Sequence, residues 1–413
     1  MTNFKRQLIT AAAVGSMLLN LALPAAAGTT ITISGNGSDS ENEAEVKLEH
    51  ETNVTQENNL DLENEVEVES NTGNNEAEGN VGGDITIDTG DAKATVNVSN
   101  TVNSNVASVD CCPGGDVDVE ISGNGSDSEN EIELERENEI EINQVNYADI
   151  DNDVEVEADT GNNEAEDNVG GKIEIKTGKA DTSVTLSTTA NANWATVGSA
   201  STNGGSLSAI ISGNGSDSEN EIDLELEDEV ELDQENNLDL ENEVEVESNT
   251  GDNEAEDNVG GDILIDTGDA LTDVTIDNLV NFNAADVDCG CLLDDILAKI
   301  FENGEDSENE IELDLEGETE VDQNNFCGWD DGDCDNEVEV ESETGDNEVE
   351  DNVGATDGDP TIETGNADTE VEVNNSGNSN VFGDLGDLDW PDFSGFHFSF
   401  TFDLQDLLDL LNG

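Results

Sequence analysis

Carboxylates are the chemistry-bearing groups of this chain. Asp84, Asp88 and Asp91 stand in the phrase Gly82-Gly83-Asp84-Ile85-Thr86-Ile87-Asp88-Thr89-Gly90-Asp91, and Asp262, Asp266 and Asp269 repeat the spacing between Gly260 and Asp269. Carboxylate oxygens on a glycine-cornered segment suit calcium, which takes oxygen ligands in flexible geometry. Asp331, Asp333 and Asp335 alternate in a third acidic stretch, running from Cys327 to Asp335. There Asn336 and Ser342 stand where an EF-hand loop has Gly and Glu, so the expectation is a surface loop closed by Cys327 and Cys334 that offers calcium ligands. A solvated acidic face is the competing reading of the Asp phrases.

Catalytic constellations are missing. No Ser-His-Asp set, phosphate loop or histidine metal cluster is visible, and two histidines leave little acid–base chemistry near neutral pH. Carboxylate pairs occur everywhere and so identify no single site. The chain reads as a non-enzyme.

The elements that carry these groups are repeats. The phrase Ser-Gly-Asn-Gly-Ser-Asp-Ser-Glu-Asn starts at Ser34, Ser122 and Ser212, and a worn copy places Asn303 opposite Asn214, giving offsets of 88, 90 and 89 residues. Such a period is the signature of a repeat architecture. Inside the units an eleven-residue beat recurs at Asn42, Asn53, Asn64 and Asn75, then at Asn130, Glu141, Asn152 and Asn163, then at Asn220, Glu231, Asn242 and Asn253. Eleven residues hold a strand plus a turn, so two steps predict a rung of about 22 residues. Between turns, stretches such as Glu65-Val66-Glu67-Val68-Glu69 alternate strictly, with small apolar residues inward and carboxylates outward. The fold expected is all-β, a β-solenoid of four ~89-residue repeats of ~11-residue strand–turn steps. Its repeats span residues 28–119, 120–208, 209–298 and 299–380.

Four of the six glutamines, Gln56, Gln144, Gln234 and Gln323, fall in one column, and an asparagine column follows at Asn103/Asn105, Asn191/Asn193, Asn281/Asn283 and Asn378/Asn380. Stacked amides satisfy one another along a strand ladder, and asparagine also favours turns. With Asn75-Glu76-Ala77, Asn163-Glu164-Ala165 and Asn253-Glu254-Ala255, this pattern loosely resembles curlin-type repeats, across residues 31–380. The resemblance implies strand–turn–strand rungs and self-assembly. The Gly-Gly-Asp phrases faintly resemble the RTX calcium β-roll nonapeptide, without its second glycine spacing.

Charge bounds the partners. Removing Lys5 and Arg6 from nine basic residues leaves seven against 105 acidic ones, a net charge near −98. Nucleic acid and anionic membranes are repelled by such a field; divalent cations, basic proteins, mineral or cell-surface and matrix components are its counterparts, and self-association is open. Stacked carboxylates ~4.8 Å apart cost about 0.9 kcal/mol per pair in water, and dozens of pairs exceed the roughly 5–15 kcal/mol that holds a domain folded. Calcium, high salt or staggered rungs must offset this. A chain disordered without cations, a calcium- or mineral-binding matrix protein, is the alternative to a constitutive fold.

In unit two the three aspartates become Lys172, Lys176 and Lys179. Units about four rungs, or ~19 Å, apart would forbid a direct salt bridge within one stack. The lysines would then pair with nearby carboxylates such as Asp167, or with a neighbouring molecule.

Lys5 and Arg6, the apolar Leu8–Leu23 and Ala25-Ala26-Ala27 make residues 1–27 a secretory signal, so the expected location is secreted, extracellular or cell-surface. An exported chain favours disulfides, drawn from Cys111, Cys112, Cys289, Cys291, Cys327 and Cys334. Bridging units one and three sits badly with a straight stack, and bridges between protomers are the alternative. Within residues 381–413, the stretch Phe393–Phe402 holds five of the chain's ten phenylalanines, alternating over Phe396–Phe402, and a short amphipathic helix follows over Leu404–Leu411. They read as an aromatic C-terminal cap.

Overall fold

The computed structural model describes residues 28–111, 116–198, 206–289, 296–328, 334–354 and 360–383, together with the backbone of Ser16–Leu21. The Leu404–Leu411 helix and nearly all of the expected cap lie outside these residues. The described chain is all-β: parallel strands stack into five sheets, and no helix is present among the described residues.

One repeat makes one rung. Each rung opens on a short strand (Thr29–Ser34, Val117–Ser122, Leu207–Ser212, Ile296–Phe301), turns through the Ser-Gly-Asn-Gly phrase or, in rung four, Phe301-Glu302-Asn303-Gly304, and runs into a long outward strand. In rungs one to three that strand is Glu41–Asn71, Glu129–Asp159 and Glu219–Asn249; in rung four it is Glu308–Cys327 continued by Cys334–Glu343. The chain turns back through two short strands, Glu76–Glu78 and Ile85–Asp88 in rung one. It then returns along Ala92–Val109, Ala180–Gly198, Ala270–Asp288 or Ala367–Phe382. Equivalent strands of successive rungs pair in parallel and in register, as in Gln56↔Gln144 and Gln144↔Gln234. A 31-residue strand is ~100 Å long and four rungs are only ~14 Å from first to last, so the body is a broad, shallow slab.

This corrects the expected rung of two eleven-residue steps. Eleven is odd, and in an unbroken strand an odd step reverses the face. Asn42 points inward and is buried, Asn53 points out to Glu141 Oε2 at 2.7 Å, and Asn64 points inward again to Asn152 Oδ1 at 2.7 Å. The beat marks alternating faces of one strand and closes no turn of its own. Neighbouring units are therefore adjacent rungs, one strand spacing apart, and the ~19 Å separation is also corrected.

The core is a thin apolar seam between the outward strand on one side and the opening and returning strands on the other. Ala44 and Val46 pack with their rung-two and rung-three equivalents against Val119, Ile121, Ala209 and Ile211. Val66 packs with Val154 and Val244 against Val96, Val184 and Val274. Small and β-branched side chains fit such a seam, and none needs a bulky aromatic. Corners use left-handed residues at matching places: Asp39, Asp127, Asp217 and Asp306 have φ of 57, 55, 57 and 60°. Asn103, Asn191, Asn281 and Asn378, at 54–59°, form a bulge inside the returning strand. The asparagine preference there is thus conformational, and the amide also works: Asn191 Nδ2 donates to Asn237 O at 2.8 Å.

Candidate functional surface

Parallel register converts each outward carboxylate into a column. Glu43, Glu131, Glu221 and Glu310 stack across four rungs, as do Glu67, Glu155, Glu245 and Glu339, and Glu69, Glu157, Glu247 and Glu341. Like charges at strand spacing resist ionisation. Burial first, then the charges of Glu247 and Glu69, hold Glu157 above the ordinary carboxylate range. Glu131 is raised by burial and then by Glu221 and Glu43; Asp149 by burial and then by Asp239 and Asp61. For Glu243 the charge of Asp153 comes first and burial second. The outward face is an extended polyanion whose groups are poised to take up protons or cations.

The lysines of unit two lie inside one such column set. Lys176 stands in register between Asp88 and Asp266. The Lys172 backbone N–H donates to Asp84 Oδ1 at 2.9 Å, and its ammonium lies 3.2 Å from Glu174, which Lys176 approaches at 2.6 Å. Lys179 donates from its backbone N–H to Asp91 Oδ1 at 2.9 Å and from Nζ to Asp269 Oδ2 at 2.5 Å. The expected pairing with nearby carboxylates is seen at Glu174 rather than Asp167, and contacts with the rungs on either side, which the ~19 Å separation had ruled out, are added to it. The reason is the rung length: what looked like distant units are touching layers. Glu174 is lowered by its bonds to Lys176 and Lys172, and Asp269 by Lys179 and the Asn366 backbone.

Asp84, Asp88 and Asp91 thus belong to the same patch as Asp262, Asp266 and Asp269, with lysines between them. Among the described residues no three His, Cys, Asp or Glu side chains converge to hold a metal ion. Asp335 is exposed and accepts the Asn336 N–H at 2.8 Å, while Asp331 and Asp333 lie outside the described residues.

Inside the slab the glutamines form a continuous ladder. Gln144 Nε2 donates to Gln56 Oε1 at 2.7 Å, Gln234 to Gln144 at 2.8 Å and Gln323 to Gln234 at 2.7 Å. Each also donates across the seam to the returning strand, Gln234 to Ala284 O at 3.0 Å. Asn105, Asn193, Asn283 and Asn380 run a parallel ladder at 3.0 Å steps.

Cysteines close the molecule at two places. Cys111 of rung one is bonded to Cys289 of rung three, with a Cα separation of 5.8 Å. Units one and three do approach, because one rung alone separates them. Cys327 and Cys334 close the rung-four loop. Cys112 and Cys291 lie outside the described residues.

One polar cluster escaped sequence reasoning. Arg136 occupies the column of Leu48, Leu226 and Leu315, and Asn138 and Asp228 share the next inward column with His50 and Gly317. Asn138 Nδ2 donates to Asp228 Oδ1. Burial raises Asp228, opposed by that bond and by the Arg136 charge, and burial lowers Arg136. Gly317 leaves a cavity of about 290 Å³ at the rung-four end, lined in part by Leu226, Asp228, Val230, Val287, Leu315 and Thr319. The available signal was a lone Arg in an otherwise leucine column.

No family model matches the chain, and no curated protein or solved structure matches it.

Proposed function

We propose that this chain is an exported, non-catalytic structural protein of the cell surface or extracellular matrix, working as part of a surface layer, fibre or adhesive coat. Divalent cations, calcium first, stabilise it by screening its carboxylate columns. The observation that carries this reading is the in-register stacking of Glu69, Glu157, Glu247 and Glu341 and their neighbours, along strands that are 31 residues long in rungs one to three. A surface this extended, repeated and uniformly anionic suits cations, basic partners or mineral, and it offers no singular site for a reaction.

The test is far-UV circular dichroism and thermal unfolding of the full chain, titrated with calcium beside sodium chloride at matched ionic strength. Stabilisation by calcium beyond that of matched sodium makes the carboxylates ligands. β structure appearing only with calcium would turn the protein into a cation-gated matrix component. Equal responses to both salts would reduce the acidic face to a solubility trait. An absence of β structure in either salt overturns the reading.

A further inference from the structure

Glycine columns run through the slab, and their members at the two ends are not required by a single copy of the chain. A Cβ built on Gly73, Gly161 or Gly251 would lie 2.0, 2.0 and 2.1 Å from the carbonyl oxygen of the glycine in the next rung, so no side chain fits there. Gly345 holds the same place in rung four, outside the left-handed region, and a Cβ on it would meet nothing within 4 Å. At the other end the direction reverses. A Cβ on Gly125, Gly215 or Gly304 would come within 2.3–2.4 Å of backbone in the preceding rung, whereas Gly37 of rung one faces open space. Gly178, Gly268 and Gly365 repeat this at 2.4, 2.1 and 2.0 Å, and Gly90 is again open. Gly37, Gly90 and Gly345 are sterically necessary only where another rung lies against them.

The two ends also complement each other in hydrogen bonding. Asn42 donates to Asn130, Asn130 to Asn220 and Asn220 to Asn309; Asn64, Asn152, Asn242 and Asn336 follow the same direction, as do Asn75, Asn163, Asn253 and Asn347. Rung one therefore ends these columns on amide oxygens and rung four ends them on amide N–H groups. Among the described residues nothing continues the seam past rung four: Leu313 and Ile311 are 50 % and 46 % exposed, where Leu224 and Ile222 above them are fully buried. The rung-one edge accepts a parallel strand, since the backbone of Ser16–Leu21 lies in register with Ser104–Val109.

We propose that copies of this chain stack head to tail, rung four of one upon rung one of the next. The joint sets Gly345 against Gly73, Gly304 against Gly37 and Gly365 against Gly90 of the adjoining copy, and carries the asparagine columns and apolar seam across. The interface is heterologous and open, so it extends into a filament. This rests on the structural role proposed above and names its partner, a second copy.

The test uses the full chain carrying a protease site after Ala27, cut after folding because Ser16–Leu21 lies on the head edge. Sedimentation velocity over a concentration series, in about 1 M sodium chloride to screen the carboxylates, is read beside the thermal midpoint of the dilute monomer. Concentration-dependent oligomers are expected. Gly345→Ala and Gly37→Ala should each raise the concentration needed about tenfold or more, as expected for forcing a methyl into close backbone packing. Both should leave the monomer midpoint unchanged. Gly251→Ala should instead lower the midpoint itself, and Leu313→Arg should stop growth while the monomer stays folded. A folded chain that remains monomeric overturns the joint and leaves the structural role standing. Assembly indifferent to Gly345→Ala, Gly37→Ala and Leu313→Arg also overturns it, since another face would then be in use and the end glycines would be mere inheritance of the repeat. A chain without β structure overturns the structural role and the joint together.

Discussion

Gln234 Nε2 reaches Gln144 Oε1 at 2.8 Å across ninety residues of sequence, and the same amide bonds the returning strand at Ala284 O. One side chain thus ties two rungs together and both walls of the slab. Gln323, at the end of the ladder, makes the equivalent bonds while partly exposed.

Gln234→Leu should accordingly destabilise the protein by about 2–4 kcal/mol, because it strands the buried Gln144 oxygen and the Ala284 carbonyl. Gln323→Leu should cost under about 1 kcal/mol, water being available to replace what is lost. Urea unfolding of the two variants measures the difference. Equal losses would show that the ladder carries no position-dependent energy.

The Cys111–Cys289 bond encloses 178 residues and the Cys327–Cys334 bond only seven. If chain entropy dominates, Cys289→Ser should cost about 5 kcal/mol and Cys334→Ser about 2 kcal/mol. Denaturant midpoints of the two variants give the ratio. A larger loss from the short loop would place its contribution in local packing around Cys327 and Leu238 instead.

Much of this architecture is written locally and some of it is not. Alternation along Glu65–Glu69 and the spacing of Gln56, Gln144, Gln234 and Gln323 report strand faces and a repeat directly, since both follow from side chains two residues or one repeat apart. Rung length is not local. Asn42 and Asn53 look equivalent in sequence, yet they face opposite sides of one strand, and only pairing with rung two reveals it. Every inference that depended on rung length moved with it: the partners of Lys179, and the bond between Cys111 and Cys289. Arg136 was legible as an intruder in a leucine column, but its neighbour Asp228 stands on the next rung and its role needed the register.

Lys179→Asp tests whether the lysine patch relieves the columns on either side. Lys179 stands between Asp91 and Asp269, so the substitution makes three carboxylates follow one another at strand spacing. The thermal midpoint should fall, and the fall should shrink in about 1 M salt, where the Debye length is ~3 Å. Calcium should restore more of the loss than matched sodium, because the new column offers it oxygen ligands where wild type offers an ammonium. A midpoint that does not move, or a loss insensitive to salt, would show that Lys179 acts through its backbone bond alone.

Acid should stabilise the protein before it unfolds it. Glu131, Glu157, Glu243 and Glu247 are all raised above the ordinary glutamate value of 4.5. In the window between that value and their raised ones, the folded state binds more protons than the unfolded state. Stability then falls as pH rises through the window and is recovered as pH falls. Glu174 and Asp269 are lowered instead, so their contribution is present above the ordinary carboxylate range and is lost as pH falls through their lowered values. The raised carboxylates are spread over rungs two to four, whereas the lowered ones are few: Glu174 and Asp269 in the lysine patch, and Asp116, held down by the Ser206 N–H and hydroxyl. The stability maximum should therefore lie at about pH 4–5, below the range usual for globular proteins. Urea midpoints at successive pH values, in constant high salt and then in low salt, locate it. The low-salt curve should be the steeper, because screening weakens the repulsion that raises those groups. A maximum near neutrality would mean that the carboxylate columns are already neutralised by bound cations when the chain folds.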